Sequence, residues 1–182
     1  ELNVYEMSDY DKVCAIYDYV CSNISYSKEV ENNVSQWGSE ADWDDHSAYG
    51  GLILKETVCQ GYCTLMYRML LQAGIENRVI VGETHGWNLV QLDGKNYLLD
   101  ATWDAGNEVY LYFLNGQTSF RESHDVIVGD TIYTTVGAAG HRGDPTYITE
   151  EFKQKYPTSP TDYGVSLSKT GEYMASGQCG DN

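Results

Sequence analysis

Between the apolar runs "HGWNLVQL" (85–92) and "KNYLLDATW" (95–103) stands the pair Asp93-Gly94. Asp-Gly in this setting predicts a two-residue hairpin turn, because the turn needs residues that tolerate positive φ. Such a turn leaves no freedom of register: Leu92 pairs with Lys95, and paired residues sum to 187. Strand side chains alternate between faces, so a turn one residue longer would send every later side chain to the opposite face. On this register His85 faces Thr102 and Asp100 faces Trp87. His85 and Asp100 are then diagonal neighbours on one face, within reach of a ring-to-carboxylate bond.

The stretch before the hairpin is as informative. In "ETVCQGYCTLMYRML" (56–70), Tyr62, Leu65, Met66, Met69, Leu70 and Ala73 recur at three and four, and Gly74 follows as a C-terminal cap. A helix therefore begins near Cys59. A thiol attacks only as thiolate, and a helix N-terminus with its unpaired amides favours that form. Cys59 stands at this mouth, while Cys63 lies one turn inside among Tyr62, Met66 and Tyr67 and reads as packing. Gly61 between them would let a substrate backbone pass close. A nucleophile needs a base and an orienting acceptor, and His85 with Asp100 has the right parity to supply both. Two other readings stay open from the residues alone. Cys59 and Cys63 with His85 could make three metal ligands, although a structural zinc takes a second close pair. All five cysteines (14, 21, 59, 63, 179) could also be core, which requires Cys59 to be fully buried and far from His85.

Around this centre, "DYDKVCAIYDYVCSN" (9–23) carries Val13, Ile16, Tyr17, Val20 and Cys21 on one helical face, capped by Ser8 or Asp9. Residues 27–49 are polar and acidic, a loop or short-helix region anchored by Trp37 and Trp43. Its run Asp42 to His46 reads as a solvated loop rather than a metal site. "NRVIVGE" (77–83) predicts a strand, "EVYLYFLN" (108–115) a strand or short helix, and a loop-rich stretch with His124 and His141 runs to Gly143. Helices followed by locally paired antiparallel strands make an α+β domain over 1–145. Residues 146–182 hold little apolar periodicity and read as a strap or linker to a further surface module. With a net charge of −16, nucleic acid and anionic membranes are excluded as partners. No run is long enough to insert into a bilayer. The chain starts at Glu1 without a leader, which reads as a piece of something longer.

The motifs V-C-Q-G-Y (58–62), H-x-W-N (85–88) and L-D-x-T-W (99–103), with "AIYDYVCSNISY" and "HSAYGGLI" upstream, resemble the transglutaminase-like superfamily, within its bacterial branch of papain-like fold. The resemblance spans about Tyr10 to Leu114. It implies a papain-like core in which Cys59 is the nucleophile, His85 the base and Asp100 the orienting residue, with no cofactor and no metal. Cys63 and Gly86 depart from it, since alanine is common at both positions. The implied chemistry is thiolate attack on a peptide or protein amide, with the thioester passing to water or to an amine. The oxyanion would be held by the Cys59 N–H and one further donor, from Gln60, Tyr49 or a loop tryptophan. Trp87 and Trp103 would flank the groove. The tail "ASGQCGDN" (175–182) resembles the lead-in to leucine-rich repeat modules of bacterial surface proteins, which implies a cell-surface or extracellular multidomain protein. A catalytically silent binding module on the same fold is the alternative.

Overall fold

The structure, a computed structural model, describes residues 3–28, 40–107, 109–128, 130–135, 141 and 148–163. Helix α1 (Asp9–Asn23) starts at Ser8, whose hydroxyl accepts from the Asp11 N–H. Strand β1 (Ser25–Tyr26) pairs in parallel with β2 (Glu56–Thr57). Between them lie the short helix α2 (Glu40–Asp45) and a five-residue π-helix (Gly50–Leu54). Helix α3 runs Cys59–Gln72, and Gly74 follows with a φ of +83°.

A three-stranded antiparallel sheet in the order β3 (Asn77–Val81), β4 (Gly86–Leu92), β5 (Lys95–Leu99) comes next. The β4–β5 register is the one the Asp-Gly turn dictates, with Leu92 opposite Lys95 and Asn88 opposite Leu99. Asp93 and Gly94 both hold positive φ. Alternation then builds two cores. Val90, Leu92, Tyr97 and Leu99 face α3 and α1, against Tyr62, Leu65, Met66, Leu70, Ile16, Tyr17 and Val20. Trp87, Leu89 and Leu98 face the other side, against Ile80, Tyr112 and Phe120. Each such side chain contributes on the order of 1.5–3 kcal/mol through removal from water. Among the described residues no helix is long and apolar enough to cross a membrane.

Three expectations change. The run 95–103 leaves the strand after Leu99, because Asp100 turns inward and caps the four-residue helix α4 (Ala101–Asp104), accepting from the Thr102 and Trp103 amides. The 109–115 segment forms neither full strand nor helix. Its backbone bonds to the β5 edge, among the described residues, are the Leu98–Asn115 bridge and an Asp100 N–H to the Tyr112 carbonyl. The amides of Leu111 and Tyr112, which a ladder would use, go instead to the buried carboxylate of Asp104. Trp43 anchors nothing, at 68% exposed, and Trp37 lies outside the described residues.

Beyond the sheet come α5 (Gln117–Arg121), the hairpin β6 (Asp125–Val128) with β7 (Thr131–Thr134), and α6 (Glu150–Lys155). Residues 148–163 lie across the domain: Phe152 and Tyr156 pack on the second core, the Ser159 amide donates to Asn96, and Tyr163 stacks on Tyr10. Cys179 and the 175–182 tail fall outside the described residues.

Candidate active site

Cys59 is the first residue of α3, and its N-cap, Val58, brings no side-chain acceptor to the helix start. The approach to it is pinned from below. The Val58 amide and the Thr57 hydroxyl both donate to the Asp45 carbonyl. Gly61 is buried here for the protein's own sake and not for a substrate. A Cβ on it would overlap the Thr57 hydroxyl and stand 2.8 Å from the Ser47 carbonyl oxygen, so the 44–47 turn and the helix can close only on a glycine.

His85 stands just before β4, its carbonyl closing the turn to Gly82, and Asn88 anchors that strand to α3 through a 2.9 Å bond to the Cys63 carbonyl. The His85 Nε2 lies 2.6 Å from Asp100 Oδ2, and Cys59 is close enough to the same ring to raise its pKa. Cys59, His85 and Asp100 are thus brought together. Cys59 is half-buried and near enough to His85 to act on its charge, which the all-core reading of the cysteines does not permit. Burial by itself would hold the His85 imidazolium down. The bonds and charges of Asp100 and Cys59 outweigh it and push His85 up to about 9.

Asp100 is 1% exposed and each of its oxygens accepts twice. Oδ1 takes the Thr102 and Trp103 amides at 3.0 and 3.2 Å. Oδ2 takes His85 and, at 2.8 Å, the Nε2 of His141. Burial favours the protonated acid, yet the bonds from His141 and His85 and their charges hold the carboxyl below its ordinary range. By sequence His141 belongs to a loop-rich stretch. No motif marks it, it is 41 residues from Asp100, and only the folded chain brings the two together.

The other residues named from sequence divide. Trp103 is half-buried and stacks on His85 with centroids 5.3 Å apart, so it can border a groove. Trp87 is 2% exposed and belongs to the second core behind His85, out of a substrate's reach. Gln60 is exposed beside Cys59. Tyr49 is placed elsewhere: it lines an apolar groove with Ile16, Leu52, Leu65 and Met69. Cys59 is not among the residues that line that groove.

Cys63 takes no part. Its thiol donates to the Gln60 carbonyl at 3.3 Å, and burial pushes it up to about 12. Iodoacetamide at neutral pH is therefore expected to alkylate Cys59 at least tenfold faster than Cys63, read by peptide mass, because only an accessible thiolate reacts; equal labelling would contradict this. Cys63 Sγ lies 3.1 Å from where a Cβ on Gly86 would stand. The two departures from alanine thus compensate, a larger residue against a smaller one. Gly86→Ala alone should cost about 1 kcal/mol by overpacking. In a Cys63→Ala background it should cost nothing, and a urea double-mutant cycle that comes out additive would disprove the coupling.

The donor atoms of His85, Asp100 and His141 lie within 4.8 Å of one another, the clustering a metal site also shows. Here both Nε2 atoms stand at hydrogen-bond distance from one carboxylate oxygen, an arrangement that suits a proton network. Among the described residues no other such group forms, around Cys63 included.

Set beside known proteins, residues 2–119 match the model of the transglutaminase-like superfamily. Kyphoscoliosis peptidase of Mus musculus is 28% identical over 146 residues, covering 64% of this chain and 21% of that protein. The Homo sapiens protein of the same name is 27% identical with the same coverage. The chain therefore spans about a fifth of the length of these curated relatives. A solved structure described as a TGase aligns at 24% identity with a TM-score of 0.46, over 53% of this chain and 27% of the other.

Proposed function

This chain belongs to the transglutaminase-like superfamily, and on that premise we propose that it is a cysteine-dependent acyl-transfer enzyme acting on peptide or protein amides. One observation carries the reading: a single imidazole, His85, is bonded to a buried carboxylate, Asp100, and lies within the electrostatic reach of a helix-mouth thiol, Cys59. In this scheme the Cys59 thiolate adds to the amide carbonyl, and the Cys59 N–H at the start of α3 faces the developing oxyanion. Gln60, exposed at the next position, is the nearest candidate for a second donor. His85 gives its proton to the departing nitrogen, leaving a thioester on Cys59. His85 then takes a proton from the acceptor as the thioester is released. The name of the two curated relatives, a peptidase, favours water as that acceptor. An extracellular, cell-surface setting within a larger bacterial protein is part of the same proposal and rests on the sequence of the tail.

The test is incubation of the chain with a peptide library and a primary amine, read by mass. Cleavage or deamidation gives the hydrolytic outcome, amine incorporation the transferase outcome, and Cys59→Ala must abolish either. A chain that alkylates rapidly at Cys59 but yields no product across the library would overturn the enzyme reading and favour a silent binding module.

A further inference from the structure

The ring of His141 is fully buried, and both of its nitrogens face groups that only accept. Nε2 is 2.8 Å from Asp100 Oδ2, and Nδ1 is 3.2 Å from the backbone carbonyl oxygen of Phe120. The carboxylate has no proton to offer, since both oxygens are already occupied by donors. The carbonyl has none by nature. A neutral imidazole has one N–H and one lone pair, so one of these contacts would set lone pair against lone pair where no water reaches. Only the doubly protonated ring satisfies both. Its surroundings suit a cation: Phe120 stacks on it at 3.9 Å, Trp103 lies at 4.1 Å, Trp87 at 5.2 Å and Tyr112 at 5.5 Å between centroids.

We propose that His141 is a permanently protonated positioning residue that holds Asp100 ionised and shares its charge with His85, and so sets the pH at which His85 gives up its proton. This rests on the assignment of His85 as the base. Among the described residues, titratable groups reach His141 from three places: His85 just before β4, Asp100 just after β5 and Tyr112 in the 109–115 segment, while α4 and α5 contribute the Trp103 and Phe120 rings. Cys59 faces His85, and Cys63 and Asp104 are charge partners of Asp100 farther out. With one cation already on Asp100, the His85 imidazolium is held less tightly than beside an unshared carboxylate. Its ring centre is 5.7 Å from that of His141, close enough for the two cations to oppose each other. Within the buried cluster the Asp100 charge is offset by that of His141. A buried charge pair then adds no net charge to the interior.

Two measurements test this without any substrate, so they stand apart from the search for turnover. In a ¹⁵N-histidine NMR titration, both ring nitrogens of His141 should carry protons throughout, from roughly pH 6 to 9. A neutral-type Nδ1 in that window overturns the proposal. The pH profile of Cys59 alkylation by iodoacetamide is then compared in the parent chain, His141→Gln, which keeps a donor for Asp100, and His141→Phe, which fits the aromatic surround. Both variants remove the charge, and the alkaline inflection belonging to His85 should move upward by about one pH unit. A merely structural His141 would lower stability and leave the inflection in place. If His141→Phe fails to fold, His141→Gln and the NMR readout still decide.

Discussion

Asp100→Asn is expected to reduce kcat/KM on the peptide amide that the parent chain processes by on the order of 10⁴-fold, with a lower thermal midpoint because the buried His141 loses its acceptor. The amide oxygen can keep the Thr102 and Trp103 amides, so the cap of α4 survives. The amide nitrogen, however, replaces the oxygen that now accepts from His85 and His141. It donates to the His85 Nε2, which moves the ring proton to Nδ1, on the side of Cys59. The ring then presents a donor where a base is needed. Asp100→Ala should be worse for the fold, since it strands four donors at once. A loss of less than tenfold in the asparagine variant, with the fold intact, would remove Asp100 from the proposed chemistry.

The second large effect concerns Asp104, a buried carboxylate distinct from the site but holding part of its wall. It accepts from the Tyr17 hydroxyl at 2.7 Å and from the Leu111 and Tyr112 amides at 2.8 and 2.9 Å. Asp104→Ala should destabilise the chain by about 3 kcal/mol or more, because two buried amides lose their acceptor. The Tyr17 hydroxyl alone has a fallback, the Tyr112 carbonyl at 3.2 Å. Burial pushes Asp104 up to about 7, against the bonds from Tyr17, Leu111 and Tyr112. A carboxyl raised in the folded state stabilises most below its unfolded pKa of about 3.9, and that contribution is lost as pH rises through the folded value. The unfolding free energy from urea titration should therefore fall between about pH 4 and 7, by an amount on the order of a few kcal/mol. His85, raised to about 9, extends the decline: its contribution is complete below about pH 6.5 and is lost as pH passes 9. Asp104→Asn, though less stable, should show a flatter slope over the lower window. An asparagine variant that keeps the parent slope would assign the pH dependence to the general negative charge of the chain.

Much of the frame was legible because its signals are local. The three- and four-residue spacing in 9–23 and 59–73 yields α1 and α3, and Gly74 ends the second where expected. The hairpin register followed from two residues, Asp93 and Gly94. Expectations failed where a buried polar group redirected the backbone. Asp100 ended β5 early by capping α4, and Asp104 drew the 111–112 amides away from a fourth strand. Roles assigned by adjacency also shifted. Gly61 serves a contact with Thr57 and Ser47, Tyr49 lies in another groove, and Trp87 is core.

What the sequence by itself determined is the pairing of His85 with Asp100 on one face and the place of Cys59 at a helix mouth. A two-residue turn and a period-two strand leave no slack, and helical periodicity locates its own start. What only the tertiary structure decided is the second partner of Asp100. His141 comes from 41 residues away, and the contacts that bring it in are distributed over Trp87, Trp103, Tyr112 and Phe120. Each of those rings is placed by a different element, so no stretch of chain carries the pattern. The cost of closing that long loop is met by packing and by a shared buried charge, and these exist only once the sheet, α4 and α5 have come together.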